Sequence, residues 1–177
     1  MMMNIRKLNI LPAIVLMTVI AFTSCSKDDG AIPKRIGIED VPAITTNLEK
    51  GTVDSISITN PSTFQGKFNV AMFFENAPTP TKVDIVVRKN GAASMVKVFK
   101  ADVTTLPASF TVTVAEIETL FGAPIALRDT YDFSPDIYVN GKKYEAFPLV
   151  GLGSAQGITG MSAIGYGVFA RYTVKNF

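Results

Sequence analysis

Short runs of β-branched and aromatic residues, separated by turn-forming residues, recur through most of this 177-residue chain. This spacing is typical of an antiparallel sandwich or barrel, whereas strands alternating with long helices would indicate a parallel sheet. The pattern predicts strands near residues 53–59, 68–74, 83–89, 95–100, 109–114, 131–139, 142–147 and 166–174. We therefore expect an all-β protein, an antiparallel β-sandwich of about seven or eight strands.

The dipeptide Asn90-Gly91 predicts the first hairpin, since both central residues of a type I′ turn need positive φ. A two-residue loop there would set Ile85 opposite Val96 on the core side of the sheet. It would also set Asp84 opposite Lys97 on the solvent side. Apolar then meets apolar and opposite charges meet outside, as a half-buried antiparallel pair requires.

The dipeptide Asn140-Gly141 predicts a second hairpin of the same type. Its register pairs Tyr138 with Lys143 on the polar face and sets Asp136 opposite Glu145. Like charges directly opposed destabilise a sheet. The two carboxylates are therefore off register, splayed into water or bound to a cation, and we favour the splayed arrangement.

A change of period predicts one short helix, over Thr113 to Phe121, in the crossover between the fifth and sixth strands. Thr113 and Glu116 have the spacing of a capping box. Gly122 and Pro124 supply the signals that end the helix.

The first 24 residues have the three-part form of a secretory signal. Arg6 and Lys7 precede an apolar run, residues 10–22, which is too short to span a bilayer as a helix. Cys25 follows at once and is the only cysteine in the chain. The alternatives are a lipidated Cys25 and an ordinary cleaved signal with an incidental cysteine, and the position of Cys25 favours lipidation.

The stretch Phe22-Thr23-Ser24-Cys25 resembles a bacterial lipobox, which implies a diacylglycerol on the Cys25 thiol and leaves no disulfide. The residues that follow, Lys27, Asp28 and Asp29, resemble the lipoprotein export signal of the Bacteroidota. That resemblance implies display on the outside of the outer membrane. The plainer interpretation is the solvated start of a linker.

Residues 25–51 contain scattered charges and no sustained period, which predicts a lipidated N-terminus and flexible tether. The boundaries that follow are 1–24 for the signal, 25–51 for the tether and 52–177 for the sandwich domain. Membrane attachment would then depend on acyl chains, because the mature chain has no basic patch.

Composition excludes several function classes. Histidine is absent, so Ser-His-Asp and Cys-His nucleophile systems and His-ligated zinc are excluded. A net charge of +2 without a basic block gives no footprint for nucleic acid. Carboxylate pairs such as Glu116 and Glu118 are of the residue type used in glycoside hydrolysis, but the sequence does not give the distance between the two carboxyl groups. We expect no enzyme and no cofactor.

Two further motifs suggest ligands but have plainer explanations. Asp129, Asp132 and Asp136 could suggest calcium, yet they lack the spacing of an EF-hand loop. A turn with solvated carboxylates is favoured. The glycine-rich stretch 151–157 has the wrong spacing for a dinucleotide loop, so a surface loop is favoured there.

The stretch Leu127-Arg128-Asp129-Thr130-Tyr131-Asp132-Phe133 resembles the fibronectin type III segment that enters strand F. The resemblance implies an Ig-like sandwich in which Tyr131 is the tyrosine corner. Its ring would pack in the core and its hydroxyl would bond to backbone upstream, which is a structural task.

Saccharide binding needs an exposed aromatic face flanked by polar partners. Tyr138 beside Lys143 is the best candidate, because the second hairpin puts both on the polar face. Phe147 shares this outward parity, and Tyr166 lies in a glycine-rich entry to the last strand. For each of the three aromatic residues, ordinary packing or a lone exposed ring is favoured over a ligand platform.

Residues 48–147 resemble Ig-like surface lipoproteins of gut-type Bacteroidota, through the stretches 82–87, 101–105, 120–122 and 136–148. The resemblance is to SusE-type accessory proteins, which hold glycans near a TonB-dependent transporter. It implies a lipid-anchored outer-membrane protein with polysaccharide and a transporter complex as partners. The function expected is a non-catalytic glycan-binding or accessory module. The alternative is a structural, adhesion or spacer module that acts through protein contacts.

Overall fold

The structure is a computed structural model that describes residues 41–151 and 167–177. Several predictions fall outside these residues and stay predictions: the signal 1–24, lipidation of Cys25, the export motif Lys27, Asp28 and Asp29, and a role for Tyr166. The glycine-rich stretch also lies outside the described residues, apart from Gly151.

The described chain contains nine strands and one α-helix. The strands are β1 Ile44–Leu48, β2 Ser55–Ser57, β3 Gln65–Met72, β4 Lys82–Lys89, β5 Val96–Val103, β6 Ala108–Thr113, β7 Thr130–Val139, β8 Lys142–Tyr144 and β9 Ala170–Lys175. The helix, α1, is Val114–Phe121, and a 3-10 turn, Pro61–Thr63, precedes β3.

The strands form two sheets, which confirms the all-β sandwich with a single short helix. The first sheet has the order β1-β3-β6 and the second the order β2-β9-β7-β4-β5, with β8 added beside β7. The helix α1 connects β6 in the first sheet to β7 in the second, as the predicted crossover requires. One pairing departs from an antiparallel sandwich, since β2 and β9 run parallel.

The predicted boundary between tether and domain is wrong at its domain end. Strand β1 lies within the range expected to be tether, and it pairs antiparallel with β3 from Ile44 opposite Met72 to Leu48 opposite Phe68. Ile44 is buried in the core. This five-residue strand was missed because it has little apolar character of its own and is ordered by pairing and burial.

The core lies between the sheets and is built from their inward-facing residues. Phe68 of β3 and Phe133 of β7 meet across the interior with ring centroids 5.1 Å apart. Tyr172 of β9 and Phe99 of β5 pack edge-on against the same Phe133 ring. Aromatic contact across the two layers therefore ties the sheets together.

The helix α1 begins and ends where its sequence predicts. The Thr113 hydroxyl accepts the Glu116 backbone N–H, and the Glu116 carboxylate accepts the Thr113 N–H, so the capping box is confirmed. Gly122 follows with a left-handed backbone, φ 66°.

The second hairpin has the predicted register. Tyr138 pairs with Lys143 and Ile137 with Tyr144, and Asn140 has the positive φ of 53° that its turn requires. A two-residue loop leaves no freedom in register, so this geometry followed from local sequence.

The predicted register of the first hairpin is wrong. Asn90 does have positive φ, but a second turn follows in which the Met95 N–H donates to the Ala92 carbonyl. Val96 therefore lies opposite Arg88 rather than Ile85, a shift of three residues. Because side chains alternate with a period of two, an odd shift exchanges the two faces of β5.

Two hydrogen bonds of the Asn90 side chain connect this turn to the loop before β7. The side-chain amide N–H donates to Asp129 at 2.8 Å, and the side-chain carbonyl oxygen accepts the Thr130 N–H at 2.8 Å. Asp129 also pairs with Lys89 and accepts the Ala126 N–H. Burial alone would raise the pKa of Asp129, but these donors outweigh it and hold the pKa below its ordinary value.

We expect Asn90→Ala to lower the free energy of unfolding by about 1–3 kcal/mol at neutral pH, since one bond lost is to a carboxylate. The folded-state pKa of Asp129 is the lower one, so its ionised contacts stabilise the fold above about pH 4 and are lost as the pH falls further. The cost of Asn90→Ala should therefore shrink below about pH 4. Urea unfolding at several pH values measures it.

Asn140→Ala is the matched control, because Asn140 has nearly the same φ, 53° against 54°, and makes no side-chain hydrogen bond within the described residues. Its cost should be smaller and independent of pH. Equal losses in the free energy of unfolding for the two variants would contradict a stabilising role for the Asn90 side-chain hydrogen bonds.

Candidate functional site

Strands β4 and β7 are buried on both faces, although a sandwich strand needs only one face buried. The six residues from Val83 to Arg88 are all buried. The outer face is covered by Ala146 and Phe147, which pack against Val86, and by the backbone near Val168, which accepts a hydrogen bond from Ser134. This outer face carries most of the ionisable groups that the structure brings together. We call it the charged face: Lys82, Asp84, Arg88, Asp132, Asp136, Tyr138, Lys143 and Arg171.

Arg88, Asp132 and Arg171 form an ion-pair cluster across three neighbouring strands of the charged face. Asp132 of β7 is fully buried and accepts hydrogen bonds from Arg171 of β9 at 2.6 and 3.0 Å. Arg88 of β4 donates to the same carboxylate at 2.9 Å. Phe147 lies over the Arg88 guanidinium at 4.1 Å and Phe169 over that of Arg171 at 5.0 Å. The three side chains therefore form an ion-pair cluster that holds β9, β7 and β4 together, in which Asp132 and Arg88 are buried and Arg171 is half exposed.

Two carboxylates lie directly opposite each other further along the same strands, Asp84 on β4 and Asp136 on β7. Both are buried. Asp136 accepts the Ala146 N–H at 2.7 Å and pairs with Lys143 at 2.8 Å. Lys143 also reaches Glu145 at 3.4 Å. The expectation that both carboxylates splay into water is therefore wrong for Asp136, which is buried and paired with Lys143, whereas the Glu145 side chain is 51% exposed.

Asp84 is held by donors from three elements. It accepts the Asp102 N–H and the Tyr138 hydroxyl, both at 2.8 Å, and Lys82 lies 3.5 Å away. Burial would raise the pKa of Asp84, but these donors outweigh it and lower the pKa below its ordinary value. Asp84 was not predicted opposite any of them, since its predicted partner Lys97 belongs to the incorrect register.

Tyr138 and Lys143 are brought together as predicted, but both are engaged with other residues. The Tyr138 hydroxyl is donated to Asp84, a bond that raises the pKa of Tyr138. Lys82 lies over the ring at 4.3 Å from its centroid. Lys143 is bound to Asp136. Phe147 lies on this face as expected, but its side chain is buried and not exposed.

Tyr131 has the predicted position and a different hydrogen-bond partner. Its ring is buried in the core, as a tyrosine corner requires. Its hydroxyl donates to the Asp129 side chain at 3.1 Å, so the expected backbone acceptor is wrong. Burial, followed by the Asp129 charge, raises the pKa of Tyr131. The carboxylate also binds Lys89, so the corner is joined to the end of β4.

The favoured interpretation of Asp129, Asp132 and Asp136 as a solvated turn is wrong. All three are buried, and each pairs with at least one lysine or arginine. Across residues 41–151 and 167–177, no three acidic or cysteine side chains converge where a metal ion could bind.

Sequence reasoning missed Arg88, Asp84 and Arg171. The available signal was alternation, since every second residue of β7 from Asp132 onward is polar. Only the register across β4, β7 and β9 brings the cations opposite those carboxylates. The covering of this face depends on Ala146, Phe147 and the chain near Val168, which lie outside the strands that they cover, so the periodicity of those strands does not reveal it.

The fold and this site define the class of protein: a small β-sandwich with an internally paired, covered charged face. No helix in the described residues is long and apolar enough to cross a membrane. Comparison with known proteins finds no matching family, no matching curated protein and no matching solved structure.

Proposed function

We propose that this protein is a non-catalytic glycan-binding module of a polysaccharide-uptake system. It is attached to the outer membrane through acyl chains on Cys25 and faces the cell exterior, with polysaccharide and a TonB-dependent transporter complex as partners. The lipobox-like residues before Cys25, the Lys27-Asp28-Asp29 motif and the resemblance of residues 48–147 to SusE-type accessory proteins support this proposal.

The single observation that supports a binding role over a catalytic one is the pairing within the charged face. The buried carboxylates Asp84, Asp132 and Asp136 all accept hydrogen bonds from donors supplied by the protein itself. A general acid or base needs a proton that it can exchange with a substrate. Carboxylates held this way support a rigid scaffold.

A second candidate is a structural or spacer module that acts through protein contacts without binding glycan. The state of Tyr138 favours it, because a sugar-stacking ring needs an open face and free polar neighbours. Lys82 already lies over one side of this ring, and the hydroxyl is already donated to Asp84.

Affinity electrophoresis through gels that contain plant, host or microbial polysaccharides tests the two candidates. We expect one polysaccharide class to retard the protein. Tyr138→Phe and Tyr138→Ala both lose the bond to Asp84, and only the alanine variant loses the ring. A stacking ring therefore predicts retardation that persists in Tyr138→Phe and falls at least several-fold in Tyr138→Ala.

Unchanged retardation of Tyr138→Ala would contradict the assignment of Tyr138 while leaving glycan binding supported. Free migration of the wild-type protein through every gel would contradict direct glycan binding and support the second candidate.

A further inference from the structure

Besides the three-residue β8, which pairs with β7 and carries two lysines, the described strands leave four outer edges. Three of these carry a feature that prevents pairing with another strand. At β1, Gly167 covers the edge: its carbonyl accepts the Thr46 N–H and its N–H donates to Asn47. A Cβ on Gly167 would lie 2.5 Å from the Thr46 carbonyl oxygen, so only glycine fits this approach. Strand β2 is three residues long. Strand β5 carries exposed Lys97 and Lys100, and its register with β4 is irregular.

The fourth edge, β6, has no such protection within residues 41–151 and 167–177. Its six residues, Ala108–Thr113, contain no charge and no proline, and they pair with β3 in unbroken register. Ser109 and Thr111 are exposed. A regular, uncharged and exposed edge strand is a template for another strand.

The backbone groups on the open side of β6 belong to Ser109 and Thr111. On β3, the backbone N–H of Lys67 donates to the Thr52 hydroxyl, and the Lys67 carbonyl accepts the Glu49 N–H. The backbone groups of Lys67 therefore point away from β6. Alternation then assigns the bonds between β3 and β6 to Phe68 and its even-numbered neighbours. In β6, the backbone N–H and C=O groups of the odd-numbered residues therefore point away from β3. Within the described chain, neither Ser109 nor Thr111 has a backbone partner there.

We propose that the β6 edge is a self-association surface, where β6 pairs antiparallel with β6 of a second copy about a two-fold axis. This proposal does not depend on the proposed function. The axis passes between the two copies of Phe110, and Ser109 of each copy lies opposite Thr111 of the other. This register gives four backbone hydrogen bonds, two from each Ser109–Thr111 pair.

The side chains of β6 are self-complementary in this register. Directly opposed residues point to the same face of an antiparallel pair. Phe110 therefore meets Phe110, and Ala108 meets Val112, all on the core side. Small hydroxyl side chains meet on the outer side. No like charges are opposed, because β6 contains none.

Both ends of β6 limit the pairing, so the product is a closed and weak dimer. The next outward pair would join Pro107 to Thr113. Pro107 has no N–H, and the Thr113 N–H already donates to Glu116. One short edge buries less than the roughly 1,200 Å² of a stable interface. A dimer is therefore expected only at high protein concentration.

Sedimentation velocity over a wide range of concentration tests the proposal, using the full chain with Cys25→Ser so that no thiol remains. We expect the wild-type sequence to shift from monomer to dimer as concentration rises. Ser109→Lys combined with Thr111→Lys should stay monomeric, since each new lysine faces a lysine of the other copy. Gln65→Lys places one new lysine on the outer face of β3, away from the β6 edge, and this variant should associate as the wild type does.

Disulfide trapping tests the register. Ser109→Cys and Thr111→Cys are each made in the Cys25→Ser chain. A mixture of the two variants should form the mixed disulfide at least several-fold faster than either variant alone forms its homodisulfide. A wild-type chain that stays monomeric at every concentration would overturn the proposal. A dimer that persists in the double-lysine variant would overturn it as well, as would homodisulfides that form as fast as the mixed one.

Discussion

Asp132→Asn should lower the free energy of unfolding by about 3–5 kcal/mol, because it leaves the Arg88 guanidinium buried without its anion. Arg88 is only 9% exposed, and its Nε already lacks a hydrogen-bond partner among the described residues. Arg171 would then face Arg88 with no carboxylate between them. The loss is a large fraction of the 5–15 kcal/mol that stabilises a typical domain. Urea unfolding followed by circular dichroism measures it.

Asp102→Asn is the matched control for this prediction. Asp102 also pairs with a cation, Lys82, but its side chain is 73% exposed. An exposed ion pair contributes about 0–1 kcal/mol, so this variant should unfold close to the wild-type midpoint. A cost for Asp132→Asn as small as that for Asp102→Asn would contradict the buried ion-pair cluster.

Phe133→Ala should cost a similar amount, about 3–5 kcal/mol, through the loss of buried area and the cavity that remains. Phe133 is fully buried, and its ring contacts Phe68 of the first sheet as well as Phe99 and Tyr172 of the second. Three aromatic neighbours from three strands cannot all collapse into the space without moving their backbones. Thermal unfolding and urea unfolding should both show the loss.

Phe74→Ala is the control in which the same atoms are removed at the surface. Phe74 is 60% exposed and packs edge-on against Phe73. Its cost should be below about 1 kcal/mol, since little area leaves the core. Comparable losses for the two variants would show that Phe133 does not centre the core.

The two hairpins show how far sequence reasoning reaches. Asn140-Gly141 forms a two-residue loop, so counting back from the turn predicts that Tyr138 lies opposite Lys143, as observed. At Asn90-Gly91 the turn forms as predicted, but a second turn through Met95 follows it. The signal for the turn was correct, whereas the length of the loop was set by pairing of β4 with both β5 and β7.

The candidate site was predicted in part, and for a clear reason. Tyr138 and Lys143 are neighbours because a local turn pairs them. The bond from Tyr138 to Asp84 could not be predicted, because it joins residues 54 positions apart on different strands. The Lys143–Asp136 ion pair lies within the predicted hairpin, but the burial of Asp136 against the Ala146 N–H was not predicted. Solvent exposure of Tyr138 was an assumption about what covers the sheet, and periodicity describes only one element at a time.

The sequence alone determined the features that depend on residues a few positions apart. These are the helix α1 with its Thr113–Glu116 capping box, the second hairpin, and the approximate positions of most strands. The tertiary structure decided the rest: β1 belongs to the first sheet, β5 shows its other face, and Asp132 lies between two arginines. Arg88 and Asp132 are 44 residues apart in sequence. Such contacts form only when distant strands pair and exclude water, so their energies have no local signature.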